Sequence, residues 1–175
     1  KGLEKGKTFN VDYDFGTGSN RTLDGSLTLS GSNNGFYYAL HGDSHHTKGI
    51  SALSKQRFNY TAQDGTAVST GGSSERDKFH RDNASLRFGY DDNQKGFDFL
   101  TSHSSQTANF DNSATDEKGH YTRTRETLFK LSGFLGNDDE LLKHKVGVSH
   151  LKTDSDTVGY TSAYDAKKLN ANYQL

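Results

Sequence analysis

The feature that most constrains this chain is an alternation of apolar and polar residues that recurs along its length. It is clearest at the start of 36–53, where Phe36, Tyr38 and Leu40 fall on one side of an extended strand. No segment shows the apolar spacing of an amphipathic helix. The pattern predicts about eight strands, antiparallel because their connections are short. The alternating stretches are 7–15, 21–31, 36–45, 83–90, 97–110, 121–135, 142–151 and 168–175.

The apolar content is too low for an ordinary soluble domain with this pattern. Hydrophobic residues make up 30% of the chain, whereas soluble domains usually carry ~45–50%. The 9 Tyr and 11 Phe are many aromatic residues for a disordered chain. Strands that turn one face to lipid and the other to a wet interior need few apolar residues. The whole of 1–175 is therefore predicted to be one all-β region, a transmembrane outer-membrane β-barrel or part of a larger barrel.

Several other classes of protein are disfavoured by what the sequence lacks. There is no Cys, so disulfides, thiolate metal sites and a cysteine nucleophile are excluded. No run of ~18 apolar residues is present, which excludes a transmembrane helix. The formal net charge of -1 argues against a nucleic-acid partner, because such binders carry a basic stripe.

The connections between the predicted strands differ in length in a regular way. Short turns at 32–35, 91–96 and 136–140 alternate with longer polar segments. Alternate connections of a meander lie at opposite ends, so one end has tight turns and the other has long loops. This asymmetry is typical of bacterial outer-membrane barrels, with periplasmic turns and extracellular loops. We therefore expect a protein of the bacterial outer membrane, in contact with lipid. The predicted outer loops are 44–80, 111–120 and 154–165.

Three segments resemble the barrel strands of TonB-dependent outer-membrane receptors, in particular the cobalamin-receptor-like branch. The first is the strand Tyr38-Ala39-Leu40 with the exit Thr47-Lys48-Gly49-Ile50-Ser51-Ala52, similar to a family pattern T-D-G-I/F-S-A. Lys48 stands where that pattern commonly has Asp. The other two segments are 82–90 and 142–157.

The resemblance implies a barrel of about 22 strands with a plug domain inside it. This chain contains neither the plug nor enough strands, so it would be an internal barrel fragment. Its implied function is TonB-dependent uptake of a scarce small-molecule ligand, with cobalamin, a ferric siderophore and haem all open. TonB would act only through the plug that is absent from this chain.

Two other interpretations remain open at this point. A closed eight-stranded barrel is the smallest common outer-membrane design, and it would act in adhesion or as a structural anchor. Against it, such barrels usually finish on an aromatic residue, whereas this chain ends Tyr173-Gln174-Leu175. Many small inward residues also suit a wider lumen. The third interpretation is a soluble β protein.

Three polar residues on the inward side of one strand invite a metal hypothesis. His41, Asp43 and His45 alternate, so their side chains share a face and can converge on one cation. No motif of fixed spacing supports this. The favoured interpretation is that all three line a polar lumen.

Residues in the predicted outer loops are the candidates for ligand and metal binding. Phe58, Tyr60 and Tyr160 are the predicted aromatic contacts to a ligand. The resemblance implies calcium bound by loop carboxylates, although the match is not residue for residue; no other cofactor is expected. The candidate calcium ligands are Glu75, Asp77, Asp154 and Asp156.

No catalytic residues are predicted, and the chain is not expected to be an enzyme. Ser, His and Asp are plentiful, so chance triads are expected. His103 between Ser102 and Ser104, and His120 near Asp116, are the closest approach to such a group. Catalysis at either place has little support in the sequence.

Overall fold

The structure, a computed structural model, is an eight-stranded antiparallel sheet with a separate two-stranded hairpin. Among the described residues, no helix is long and apolar enough to cross a membrane. The described residues are 8–50, 58–70, 76–110, 119–136, 142–160 and 162–175. The strands are β1 (Asn10–Gly18), β2 (Thr22–Asn33), β3 (Phe36–Thr47), β4 (Phe58–Thr61), β5 (Ala67–Thr70), β6 (Phe79–Asp91), β7 (Lys95–Asn109), β8 (Tyr121–Leu135), β9 (His144–Val158) and β10 (Ser162–Gln174).

The large sheet is a meander in the order β1-β2-β3-β6-β7-β8-β9-β10, and β4 pairs with β5 to form the small hairpin. The predicted all-β antiparallel fold is confirmed. In the described part of the chain β1 has only β2 as a neighbour and β10 has only β9, so the sheet is open. Closure of these strands into a barrel of their own, which the small-barrel alternative requires, is not seen.

The strand register brings the alternating apolar residues onto one side of the sheet. Leu40 on β3 lies opposite Leu29 on β2 and Leu86 on β6. Every second residue along each strand lies on this same side of the sheet. We call this side the apolar face and the other the polar face. The apolar face has an apolar band that consists of Val11, Tyr13, Phe15, Leu23, Leu27, Leu29, Phe36, Tyr38, Leu40, Ala84, Leu86, Phe88, Tyr90, Phe97, Phe99, Phe129, Leu131, Leu135, Val146, Val148, Leu169, Ala171 and Tyr173.

The sheet by itself covers neither of its faces. None of the hydrophobic side chains among the described residues is buried, and Phe15 and Leu169 are 81% and 70% exposed. An exposed apolar surface that runs across eight strands is far larger than the patches of ordinary monomers. The apolar face therefore requires an apolar environment that the described residues do not supply.

The connections fall at the two ends of the sheet as the meander requires. The turn end contains 34–35, 92–94 and the connection from Leu135 to His144. At the loop end β1 connects to β2, β3 to β6, β7 to β8 and β9 to β10, and the first and last of these connections are tight. The predicted difference between the ends is therefore present, but it is less regular than predicted.

The predicted outer loop at 154–165 is wrong. β9 continues to Val158 and β10 begins at Ser162, which leaves a three-residue connection. The sequence predicts a loop there because the segment has no apolar alternation. Both of its faces are polar, since these strands continue beyond the apolar band. Predicted loop 44–80 is also slightly too long, because β3 runs to Thr47 and β6 starts at Phe79. Most of loop 111–120 lies outside the described residues.

The turn between β2 and β3 shows how the sequence sets the register. Asn34 and Gly35 have φ values of 48° and 82°, the left-handed pair of a type I′ hairpin. A methyl group at Gly35 would lie 2.8 Å from the carbonyl oxygen of Asp91 as well. Glycine is thus required here for both its φ and its size.

Aromatic rings cover glycines on neighbouring strands. Phe134 points to the polar face, against the pattern of its strand, and its Cε1 would lie 2.5 Å from a methyl group at Gly96. Such pairing places ring surface where a glycine leaves a gap in the sheet. The directly opposed pairs are Phe15 over Gly25, Tyr38 over Gly31, Tyr37 over Gly89 and Phe134 over Gly96.

Candidate functional site

The predicted histidine and aspartate group lies together on the polar face of β3 and is bonded to its neighbours. The Nε2 of His41 lies 3.1 Å from a carboxylate oxygen of Asp43 and its Nδ1 lies 2.8 Å from the hydroxyl of Thr28. A carboxylate only accepts, so Nε2 is the donor in the contact with Asp43. His45 contacts a carboxylate oxygen of Asp24 on β2 through its Nδ1.

Asp43 is also engaged from β6, which removes it as an open metal ligand. The side-chain amide of Asn83 donates to it at 3.1 Å, and Arg81 Nη2 lies 3.5 Å from its other oxygen. Among the described residues, no group of three or more His, Asp or Glu side chains can hold a metal ion. The arrangement is a network of paired charges on a polar wall.

A second cluster on the polar face joins three strands near the turn end. Asp98 on β7 accepts from the Tyr37 hydroxyl and from Arg87 Nε, each at 2.6 Å through Oδ2. The guanidinium of Arg87 also lies 5.6 Å from the centre of the Tyr37 ring. Sequence reasoning missed this cluster. The available signal was that Arg87 and Asp98 sit at inward positions on either side of the 91–96 turn.

Hydroxyl groups pair across β8 and β9 on the loop-end half of the polar face. The Thr122 and Thr157 hydroxyls are 3.2 Å apart, and those of Thr124 and Ser155 are 3.1 Å apart. Further along, Thr153 donates to Glu126 at 3.1 Å. Hydroxyls both donate and accept, so this wall can hydrogen-bond to water or to a polar solute.

Three rings form an aromatic cluster at the loop end. Phe110 and Tyr160 are stacked, with ring centres 6.1 Å apart and planes at 11°. The ring centre of His120 lies 6.0 Å from that of Phe110, with the two ring planes at 30°. Tyr160, one of the predicted ligand contacts, is 49% exposed and so offers ring surface beyond the cluster. The participation of Phe110 and His120 was not predicted, because it depends on how β7, β8 and β9 end together.

The other two predicted aromatic contacts lie on the small hairpin. Phe58 and Tyr60 occupy alternate positions of β4 and are 50% and 55% exposed. They therefore share one face of that strand. Tyr60 lies opposite Val68 on β5.

The four predicted calcium ligands do not form one site in the part of the chain that the structure describes. Asp154 and Asp156 lie on β9, where Lys152 Nζ is 2.9 Å from Asp154. Asp77 leads into β6, which is three strands from β9, or about 14 Å at normal strand spacing. Glu75 lies outside the described residues.

Comparisons of the chain with protein-family models, curated proteins and solved structures find no match. What defines the protein is therefore its architecture. It is an open antiparallel meander sheet with an exposed apolar face, a hydrogen-bonded polar face and an aromatic cluster at one end.

Proposed function

We propose that this chain is part of the wall of a bacterial outer-membrane β-barrel receptor for TonB-dependent uptake of a scarce ligand. The observation that carries the proposal is an apolar band without a buried hydrophobic side chain among the described residues, on a sheet whose opposite face is mainly polar. Strands in lipid must pair their backbone groups with one another and turn apolar side chains outward. In the large sheet, neighbouring strands pair with each other along nearly their full length.

The apolar band is shorter than the usual membrane belt, and the long side chains at its margins can extend it. On β8 the band runs from Phe129 to Leu135, six residue steps or about 20 Å along the strand. A tilt of ~40° reduces this to about 15 Å, below the usual ~25 Å belt. Long side chains at the margins extend it, because Lys and Arg can lay their apolar stems along lipid.

The open edges and the small residues of the polar face favour a barrel larger than eight strands. β1 and β10 each present an unpaired edge in the described residues, and such edges seek partners. Gly147 and Ser149 on β9, and Ser102 and Ser104 on β7, face the polar side. Small polar residues leave room for a wide wet lumen, whereas a small barrel fills its interior with side chains.

The receptor part of the proposal comes from the resemblance and from the exposed rings. Phe58, Tyr60 and Tyr160 are the proposed contacts to cobalamin, a siderophore or haem. The loop that carries Glu75 and Asp77 is the proposed place for calcium, if calcium orders the loops. A plug encoded elsewhere in the same protein would contact TonB. The chain itself has no proposed catalytic role.

The membrane part can be tested with single tryptophans, because the chain has no Trp of its own. Leu131 and Ser132 are adjacent on β8 and lie on opposite faces. The refolded variants Leu131→Trp and Ser132→Trp are placed in vesicles whose acyl chains carry bromine. We expect strong fluorescence quenching for Leu131→Trp and weak quenching for Ser132→Trp. Equal quenching of the two variants would overturn the assignment of faces to lipid and lumen.

The receptor part is tested by the coding sequence that surrounds this chain. A plug-domain region upstream in the same reading frame, together with further strand pairs, is the expected result. A reading frame that encodes only these strands would leave the membrane wall intact but would replace uptake with the adhesion or anchoring role.

A further inference from the structure

The apolar face becomes charged where β8, β9 and β10 continue past the apolar band toward the loop end. Cross-strand pairing arranges this region in rows. The last row of the band is Phe129, His150 and Leu169; the next row is Thr127, Lys152 and Lys167. Two further rows follow, Arg125 with Asp154 and Asp165, and then Arg123 with Asp156 and Ala163. We call these three outer rows the charged margin.

Like charges face each other in two rows of the charged margin. Lys152 lies directly opposite Lys167, and Asp154 lies directly opposite Asp165. Such pairs are destabilising unless another charge compensates them. Lys152 compensates the acidic pair, since its Nζ is 2.9 Å from Asp154 and 3.8 Å from Asp165. Lys167 is exposed and has no such carboxylate among the described residues.

The arginines leave the margin with an excess of positive charge. Arg125 lies opposite Asp154, which Lys152 already contacts. The guanidinium of Arg123 lies 5.4 Å from the centre of the Tyr121 ring. Four cationic side chains therefore share three carboxylates in the charged margin.

We propose that the charged margin binds the phosphate groups of an anionic lipid in the leaflet at the loop end. This inference rests on the proposed membrane wall. Lys167 is two residues from Leu169 on the same face, about 7 Å along the strand, which is where a headgroup begins if Leu169 contacts acyl chains. A phosphate between Lys152 and Lys167 would compensate the repulsion of the two ammonium groups, and guanidinium groups are strong phosphate donors.

The experiment compares two double variants with the same charge change on the same two strands. Arg125→Gln/Lys167→Gln alters the charged margin. Lys130→Gln/Lys168→Gln alters β8 and β10 on the polar face and serves as the matched control. The whole barrel protein that contains this chain is refolded into phosphatidylcholine nanodiscs, and its affinity is measured for bisphosphorylated lipid A and for the same lipid without phosphates.

We expect Arg125→Gln/Lys167→Gln to weaken binding of the phosphorylated lipid about thirtyfold, because each basic residue near a membrane surface contributes a comparable share. The polar-face control and the dephosphorylated lipid should show little change between variants. Lys167→Gln alone should weaken binding about fivefold. This single variant keeps the test valid if the double variant folds poorly, because no carboxylate contact of Lys167 is found in the part of the chain that the structure describes.

The outcomes separate this inference from the proposed function. If the whole barrel protein that contains this chain fails to insert into the nanodisc at all, the membrane wall is wrong and this inference falls with it. If it inserts but both double variants bind lipid A alike, only the headgroup site is wrong. If inorganic phosphate displaces lipid A at equal phosphate concentration, the site is one for free phosphate and the lipid assignment is overturned.

Discussion

The Tyr37 hydroxyl on β3 donates to Asp98 on β7 at 2.6 Å, although β6 lies between the two strands. The bond can cross β6 because the residue directly between them is Gly89. The Tyr37 ring occupies the space that a larger residue at 89 would need. One glycine thus permits a three-strand connection on the polar face.

Gly89→Ala is expected to displace the Tyr37 ring and break this connection. Overpacking of this kind typically costs roughly 1–3 kcal/mol in the free energy of unfolding. Urea unfolding of the refolded chain in detergent measures it. Gly42→Ala is the matched control, because a methyl group there meets only the Asn83 carbonyl oxygen at 3.8 Å. Equal losses in the two variants would show that Tyr37 is not held by its contact with Gly89.

Tyr37→Phe should keep the ring over Gly89 and remove only the hydrogen bond. The expected loss is about 1 kcal/mol in the free energy of unfolding, since Arg87 still neutralises Asp98. Tyr164→Phe, on the polar face of β10, removes a hydroxyl for which no such bond is found in the described residues. The same urea titration should show little change for it. A Tyr37→Phe variant as stable as the parent would contradict the assigned bond.

Gly35 and Gly65 separate the cost of backbone conformation from the cost of crowding. Their φ values are nearly equal, 82° and 83°, but a methyl group at Gly65 meets nothing within 4 Å. Both Ala variants carry the left-handed cost of roughly 1–2 kcal/mol. Gly35→Ala adds a clash with the Asp91 carbonyl oxygen and should destabilise the large sheet more. Hydrogen exchange is measured for the amides that flank each turn, those of β2 and β3 in Gly35→Ala and those of β4 and β5 in Gly65→Ala, each against the parent chain. Equal losses of protection beside the two turns would argue against the crowding.

Acid should weaken the turn between β6 and β7 through Asp92. The backbone N–H groups of Lys95 and Gln94 donate to its carboxylate at 2.8 and 3.0 Å and hold the pKa of Asp92 below its usual 3.8. Because the folded-state pKa is lowered, this stabilisation is complete above the unfolded pKa. It declines as the pH falls below 3.8 and is gone once the pH is below the folded-state pKa.

The measurement is the urea midpoint of unfolding as a function of pH for Asp92→Asn and the parent chain. The parent midpoint should fall more steeply in the acid range than that of Asp92→Asn, which has no carboxylate to protonate. Gln94→Ala is the control and should follow the parent, because the turn uses its backbone and not its side chain. Parallel curves for Asp92→Asn and the parent would exclude this role.

Arginine substitutions on β8 test the environment of each face by free energy. Leu131→Arg places a charge in the apolar band and should cost about 2–4 kcal/mol in folding into a bilayer. Ser132→Arg places the same charge one residue along, on the polar face, and should cost far less. Folding titrations into lipid vesicles measure both. Similar costs for the two would mean that water reaches both faces.

The alternation alone was enough to predict which side chains share a face of β3, because a strand has a period of two. The register that continues these faces across the sheet was not predicted and comes from the observed strand pairing. Phe134 could not be assigned, since its place depends on a glycine of the neighbouring strand. The sequence predicts a loop at Asp154 and Asp156, because a strand that is polar on both faces shows no alternation of apolar and polar residues.

The candidate site was harder to predict than the fold. The grouping of His41, Asp43 and His45 followed from one strand, but the bonds from Arg81 and Asn83 depend on β6. The stacking of Tyr160 on Phe110 joins the ends of two strands that are not adjacent in the sheet. Such contacts depend on how strands twist and end, which the period of a sequence does not report.

The meander order of the large sheet also bears on how such a wall can change over time. Each strand pairs only with the strand before it and the strand after it in sheet order, and that order follows the chain. Inserting or deleting a whole hairpin therefore changes the strand pairing only at that point and leaves every other pairing as it was. The sheet can therefore widen in units of two strands, while its apolar face and its polar face keep their character.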